Sequence, residues 1–162
     1  MNIIKEMNRI WNTVYVGDMF SATDISELKR HRIGLVINCA HPPDNIHMLE
    51  RAMYVDTRGK YIGTGIQSVF IRMQDQSDFD ISPFFDLTFS LISNYIKKHP
   101  NRGVLVHCRA GVSRSSTIVL AYMIKSGVRF HRALTLAQSR RSHICPNRGF
   151  TKSLMDLDRA QI

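Results

Sequence analysis

The chain has 162 residues, of which 44% are hydrophobic and 22% charged, a composition typical of one folded domain with its own core. Its three cysteines are an odd number without a C-x-x-C pair, and its seven histidines show no metal-ligand spacing. We therefore expect neither a disulfide framework nor a bound metal. The 22 Lys and Arg against 13 Asp and Glu give a net charge of +9, which favours an anionic partner such as nucleic acid, acidic membrane or phosphorylated protein.

The sequence indicates neither a membrane-spanning segment nor a signal peptide. The segment STIVLAYMI is among the longest apolar runs and is too short to span a membrane, and the first residues mix charges into their apolar positions. We expect no membrane insertion. The cysteine usage favours a reducing, intracellular compartment, cytoplasmic or nuclear.

Predicted strands and helices alternate along the chain and then give way to helices. In chain order they are a strand at 13–18, a short helix after Ser21, strands at 33–40, 51–57 and 69–73, a helix at 82–100, a strand at 103–108, and helices at 115–125, 131–141 and 149–160. This order predicts an α/β fold with a central, mostly parallel sheet of about five strands flanked by helices. Residues 1–12 are interpreted as an N-terminal extension, with a helix as an expected form, ahead of a domain at 13–160.

The segment VLVHCRAGVSRSS, residues 104–116, joins a buried strand to a helix. In open α/β sheets ligands bind where such a strand ends, beside the next helix, and Cys108 lies at that place. The short loop with Gly111 can turn backbone N–H groups towards an anion, and Arg114 offers a planar fork of donors suited to phosphate. The same surroundings lower the pKa of a thiol, so Cys108 is predicted to be a nucleophilic thiolate.

Two neighbours of the cysteine have predicted supporting roles. His107 is expected to hold the loop through hydrogen bonds rather than to act as a base, because a Cys–His catalytic pair is usually far apart in sequence. Ser115 could donate a hydrogen bond to the sulfur. The alternative interpretation is that Cys108 is only a small buried hydrophobic residue, which is common for free cysteines.

The string HCRAGVSRS resembles the His-Cys-x5-Arg-Ser/Thr signature of the cysteine-dependent protein tyrosine phosphatase superfamily. The form AGVSRS is most similar to the dual-specificity phosphatases. The segments VYVGD, ISELKRHRIGLVIN, ISPFF, AYMI and CPNRGF follow in the order of those domains, over residues 13–160. The resemblance implies a dual-specificity phosphatase-like fold and an enzyme that needs no metal or other cofactor.

The resemblance also implies roles for individual residues. Cys108 would attack phosphorus to form a phosphocysteine, and Ser115 would assist the departure of the thiolate. Asn147, in CPNRGF, would help to hold the phosphate-binding loop. The phosphoryl oxygens would be bound by the Arg114 side chain and by the backbone N–H groups of Arg109, Ala110, Gly111, Val112, Ser113 and Arg114.

The departing alkoxide or phenoxide needs a proton, which a carboxylic acid on a nearby loop can supply. The segment RMQDQSDFD offers three aspartates. The resemblance points to Asp75 as the acid, with Asp78 as the alternative. Asp80 is interpreted as a charge on the approach to the following helix.

The other two cysteines receive different interpretations. Cys39 ends the strand LVINCA, where some relatives carry a cysteine that pairs with the nucleophile under oxidation. The resemblance implies, as a hypothesis, a reversible Cys39–Cys108 disulfide that protects the thiolate from over-oxidation. The alternative is that Cys39 is a buried core thiol. No role is assigned to Cys145.

The leading functional interpretation is a protein phosphatase that acts on phosphotyrosine and on phosphoserine or phosphothreonine. The short chain leaves no room for the insertions that deepen the pocket of tyrosine-only relatives. An RNA 5′-phosphatase or a phosphoinositide phosphatase of the same fold is an alternative that the charge keeps open, and a non-catalytic phosphate-binding module is another. The expected partners are phosphorylated proteins, with nucleic acid not favoured, and the expected state is a monomer or homodimer.

Overall fold

The computed structural model describes residues 6–40, the backbone of 53–56, and residues 61–162. The strands in these ranges are β1 (Met7–Trp11), β2 (Val14–Gly17), β3 (Ile33–Asn38), β4 (Met53–Asp56), β5 (Gln67–Ile71) and β6 (Gly103–His107). The helices are α1 (Ile25–Arg30), α2 (Phe84–Lys98), α3 (Arg114–Lys125), α4 (Phe130–Arg140) and α5 (Arg148–Ala160), with a 3₁₀ turn (Ser21–Thr23) ahead of α1.

The described strands form one mixed sheet in the order β1-β2-β6-β3-β5-β4. The four inner strands are parallel, and the two edge strands pair antiparallel with their neighbours. The prediction of an α/β fold with a mostly parallel central sheet is confirmed. Since parallel strands end at the same sheet edge, the ends of β3 and β6 meet, and the N–H of Cys39 donates to the His107 carbonyl over 2.8 Å.

The edge strand β1 corrects one prediction. A helix was expected within residues 1–12, but Met7–Trp11 forms a strand paired with β2. Asn12 has a φ of 51°, which allows a tight turn straight back into β2. Ile10 is buried in the core while Arg9 is exposed, so the segment presents alternate faces as a strand does. Residues 1–5 lie outside the described part of the chain.

Both faces of the inner sheet are covered, which explains the uninterrupted apolar runs of β3 and β6. Along β6, Val104 and Val106 pack into the larger core, and Leu105 packs into a smaller cluster with Leu28 of α1. In α3 every side chain from Ser115 to Ile124 is buried. That helix packs against α2, α4, α5 and β6, and these contacts fix the position of the helix that follows the loop. No helix of the described residues is long and apolar enough to cross a membrane.

Candidate active site

The loop between β6 and α3 consists of residues 108–113. Its turn depends on Gly111, which has a φ of +66°. A Cβ at this position would also lie 2.7 Å from the carbonyl oxygen of Gly17. Glycine is therefore required twice over, for its backbone conformation and for the close approach of β2.

The carbonyl groups of this loop point away from its centre. Five consecutive oxygens accept hydrogen bonds from residues outside it: Arg109 from the Met19 N–H, Ala110 and Gly111 from the Arg141 guanidinium, Val112 from the Cys145 N–H, and Ser113 from Thr117. With the carbonyl groups engaged on the outside, the N–H groups of the loop can face inwards. Such a concave array of N–H groups is an anion-binding nest.

The thiol of Cys108 lies within this array and is 3% exposed. Burial by itself raises the pKa of the thiol. The Ser115 hydroxyl, with its Oγ 3.1 Å from Sγ, and the backbone N–H groups of Ser115, Gly111 and Val112 outweigh that effect and lower the pKa of Cys108 below its ordinary value. Cys108 is thus buried, and its hydrogen bonds favour the thiolate form.

Arg114 is the first residue of α3 and extends towards the end of β3. Its Nη1 donates to the carbonyl oxygens of Cys39 and Ala40 over 3.2 and 3.4 Å. Its Nε is buried and has no hydrogen-bond partner among the described residues. An unpaired buried donor costs about 1–3 kcal/mol, so an oxyanion in the loop suits this side chain.

Asn147 connects the phosphate-binding loop to the acidic loop after β5. Its backbone N–H donates to Ser113 Oγ over 2.9 Å, and its Nδ2 donates to Asp75 Oδ1 over 3.0 Å. Its Oδ1 accepts from the Phe150 N–H and caps the start of α5. This one residue therefore caps the start of α5 and links the candidate acid, through its side chain, to the loop that holds the thiol, through its backbone.

A second contact keeps the acidic loop in place. A Cβ on Gly149, in the first turn of α5, would clash with the carbonyl oxygen of Ser77. The backbone of the acidic loop thus packs directly against the backbone of the helix. A side chain at position 149 would push the two segments apart.

The remaining predicted residues occupy distinct places. Asp78 is exposed in the turn of the acidic loop, whereas Asp80 accepts hydrogen bonds from the backbone and the hydroxyl of Ser82, just before α2. His107 is buried, with Nδ1 3.4 Å from the Cys108 carbonyl oxygen, and this contact fits a supporting role. Asp75 is the aspartate of this loop that contacts Asn147.

Cys39 is fully buried, and this burial, together with the charge of Cys108, raises the pKa of its thiol. Cys39 follows β3 and Cys108 follows β6, and the pairing of these two strands places both cysteines at one edge of the sheet. Their oxidative pairing stays a prediction. Cys145 is exposed, and its contact with the loop is made by its backbone N–H.

Sequence reasoning missed Arg141. This side chain is 4% exposed and bonds two carbonyl oxygens of the loop, Ala110 over 3.1 Å and Gly111 over 3.0 Å. In the sequence it is the second of two consecutive arginines at the end of a predicted helix, a position typical of a solvated, dipole-compensating charge. Its place just before CPNRGF is the one signal that could have drawn attention to it.

The described part of the chain contains no cluster of side chains suited to bind a metal ion. No group of three or more His, Cys, Asp or Glu side chains is arranged there to hold an ion. The donors around Cys108 are N–H, guanidinium and hydroxyl groups. These bind anions rather than cations.

β6, the loop that begins with Cys108 and helix α3, which begins with Arg114, together form a candidate phosphate-binding site. The family model "Dual specificity phosphatase, catalytic domain" matches residues 14–160. Dual specificity protein phosphatase 26 of Bos taurus is 34% identical over 157 residues, covering 94% of this chain and 67% of that protein. Human dual specificity protein phosphatase 13B is 35% identical over 162 residues, covering 96% of this chain and 74% of that protein.

Solved structures agree with this fold. Human DUSP28 superposes with a TM-score of 0.78 at 19% identity, with 96% of this chain and 94% of that chain covered. DUSP15 gives a TM-score of 0.78 at 26% identity, with 96% of this chain and 88% of that chain covered.

The chain belongs to the dual-specificity phosphatase family and is a protein phosphatase, a hydrolase. The RNA-directed, lipid-directed and non-catalytic alternatives are not favoured.

Proposed function

We propose that this phosphatase removes phosphate from tyrosine and from serine or threonine of proteins by way of a phosphocysteine at Cys108. The observation that supports this mechanism most strongly is the thiol itself. It is buried, yet hydrogen bonds from Ser115, Gly111 and Val112 lower its pKa. The same N–H groups can receive the equatorial oxygens of a phosphoryl group that the sulfur attacks.

In the first step the Cys108 thiolate attacks phosphorus, an S–P bond forms and the bond from phosphorus to the leaving oxygen breaks. Asp75 donates its proton to that oxygen, so the product leaves as a neutral alcohol or phenol. Arg114 turns its donors, including the unpaired Nε, onto the phosphoryl oxygens. Its hydrogen bonds to the carbonyl oxygens of Cys39 and Ala40 hold the guanidinium beside the loop.

In the second step water attacks the phosphorus of the phosphocysteine. The Asp75 carboxylate accepts a proton from this water, the S–P bond breaks and inorganic phosphate is released. The sulfur departs as a thiolate, and Ser115 Oγ, 3.1 Å away, stabilises it by a hydrogen bond. Asp75 thereby regains the proton that it lost, and both groups return to their starting states.

The proposed breadth of substrate rests on exposure. Arg109 and Ala110, which follow the nucleophile, are exposed, and Asp75 is exposed as well. The thiol is thus buried below a rim that itself lies at the surface. A short phosphoserine can reach such a site as well as a longer phosphotyrosine can.

The test uses Cys108→Ser. Serine keeps the loop and its N–H groups but lacks a group that is ionised at neutral pH, so turnover of an aryl phosphate and of phosphotyrosine and phosphoserine peptides should be lost. Binding of tungstate, a tetrahedral oxyanion, should persist. A chelator should leave the turnover of the parent enzyme unchanged. Turnover that survives in Cys108→Ser would exclude the covalent mechanism.

A further inference from the structure

One arginine joins the N-terminal strand to the phosphate-binding loop. One side of the Arg141 guanidinium bonds the carbonyl groups of Ala110 and Gly111. From the other side, Nη1 donates to Asn8 Oδ1 over 2.9 Å and to the backbone carbonyl of Glu6 over 3.2 Å. Asn8 supplies the only side-chain oxygen among these four acceptors.

The charge of Arg141 also acts on the thiol. Burial lowers the pKa of this arginine, while Asp18, Glu6 and the Cys108 thiolate oppose that effect electrostatically. By reciprocity the same positive charge favours the thiolate form of Cys108. The position of this guanidinium therefore matters for two properties of the site, the direction of the loop carbonyl groups and the acidity of the thiol.

We propose that β1 is a positioning element of the active site, in which Asn8 fixes the Arg141 guanidinium against the phosphate-binding loop. This inference rests on the proposed role of Cys108. The family model matches residues 14–160, so β1 lies outside the region that it matches. Asn8 lies on β1 and contacts Arg141, which is 133 residues away in the sequence. Arg141 in turn contacts the phosphate-binding loop.

The physical reason is that a guanidinium holds its hydrogen-bond partners in one plane. If Asn8 loses its oxygen, a donor of a nearly buried arginine is left unpaired, and the guanidinium can rotate towards another acceptor. The carbonyl groups of Ala110 and Gly111 then lose fixed partners. The inward N–H groups become less well directed, and the thiolate is less stabilised.

The test is Asn8→Ala in the full chain, with Cys108 ionisation measured by the rate of iodoacetamide alkylation across pH. We expect the pKa of Cys108 to rise by about half a unit, which slows alkylation about threefold on the acidic side of the profile. The kcat/KM for an aryl phosphate should fall about threefold to tenfold. A further variant, Arg141→Ala, removes the anchored charge itself, and Arg140→Ala is its matched control. Arg140 is adjacent and exposed, and its loss removes the same charge from the chain, so both measurements should stay within about twofold of the parent in Arg140→Ala.

Arg141→Ala should exceed the effect of Asn8→Ala, and adding Asn8→Ala to it should change alkylation no further, because Asn8 acts through Arg141. Unchanged alkylation in Asn8→Ala, even with a lowered melting temperature, would show that β1 merely stabilises the fold and would overturn the proposal. So would additive effects in the double variant. Alkylation needs no turnover, so this result stands apart from any failure of the proposed reaction.

Discussion

At the scale of single residues, the proposed nucleophile and the proposed acid come from separate parts of the chain. Cys108 is held within one loop, whereas Asp75 comes from a distant segment and reaches that loop through Asn147. The contact with Asn147 favours Asp75 over Asp78, which is exposed in the same acidic turn.

We expect Asp75→Asn to lower kcat about 10²–10⁴-fold, because general acid catalysis contributes about that much. The loss should be larger with phenyl phosphate than with p-nitrophenyl phosphate, since nitrophenolate leaves readily without a proton. Asp78→Asn serves as the matched control and should keep kcat within about twofold. If Asp78→Asn instead shows the larger, leaving-group-dependent loss, the acid is Asp78.

The sequence predicted the residues whose chemistry is contained in one short string. Cys108, Arg114 and Ser115 lie within eight consecutive residues, so their spacing is itself the signal. Arg141 was not predictable in this way, because its partners are backbone carbonyl groups about thirty residues away. Every residue carries a backbone carbonyl group, so an acceptor of this kind cannot be recognised from the sequence.

At the scale of elements, the start of α5 is where the two halves of the site meet. Asn147 caps this helix, and Gly149 lets the backbone of the acidic loop touch it. The helix thus fixes the acid loop relative to the phosphate-binding loop. This arrangement depends on a glycine in the first helical turn, a position where alanine would otherwise be better by about 1 kcal/mol.

We therefore expect Gly149→Ala to lower kcat about tenfold or more, because the Ser77 carbonyl must move and carry Asp75 away from the substrate. The alkylation profile of Cys108 should stay unchanged, since its own loop is not displaced. Lys152→Ala, about one turn further along α5 and exposed, is the control and should keep normal turnover. Normal kcat in Gly149→Ala would show that the packing does not position the acid.

An apolar pattern predicts buried strands and helices better than it predicts an edge strand such as β1. The buried runs of β3 and β6 and the all-round apolar α3 were predicted because burial on several faces leaves a continuous apolar signal. β1 was not, because MNRIW carries a mixed pattern and its pairing with β2 depends on Asn12 entering a positive φ. Local composition does not reveal that pairing.

At the scale of the whole molecule, the parallel centre of the sheet brings the chemistry together. The ends of β3 and β6 lie side by side, and this places Cys39, Cys108 and Arg114 at one edge. The α/β class and the parallel centre followed from alternating strands and helices. The order of strands in the sheet depends on tertiary pairing, and no local signal encodes it.

In the proposed mechanism, phosphate passes through the sulfur of Cys108. The most direct measurement is an acid quench of the enzyme during turnover of an excess of aryl phosphate, followed by mass spectrometry of its peptides. We expect one phosphoryl group on the peptide that contains Cys108, absent in Cys108→Ser and more abundant when hydrolysis of the intermediate is slowed. Steady turnover with no phosphorylated Cys108 peptide, or with phosphate on another residue, would contradict it.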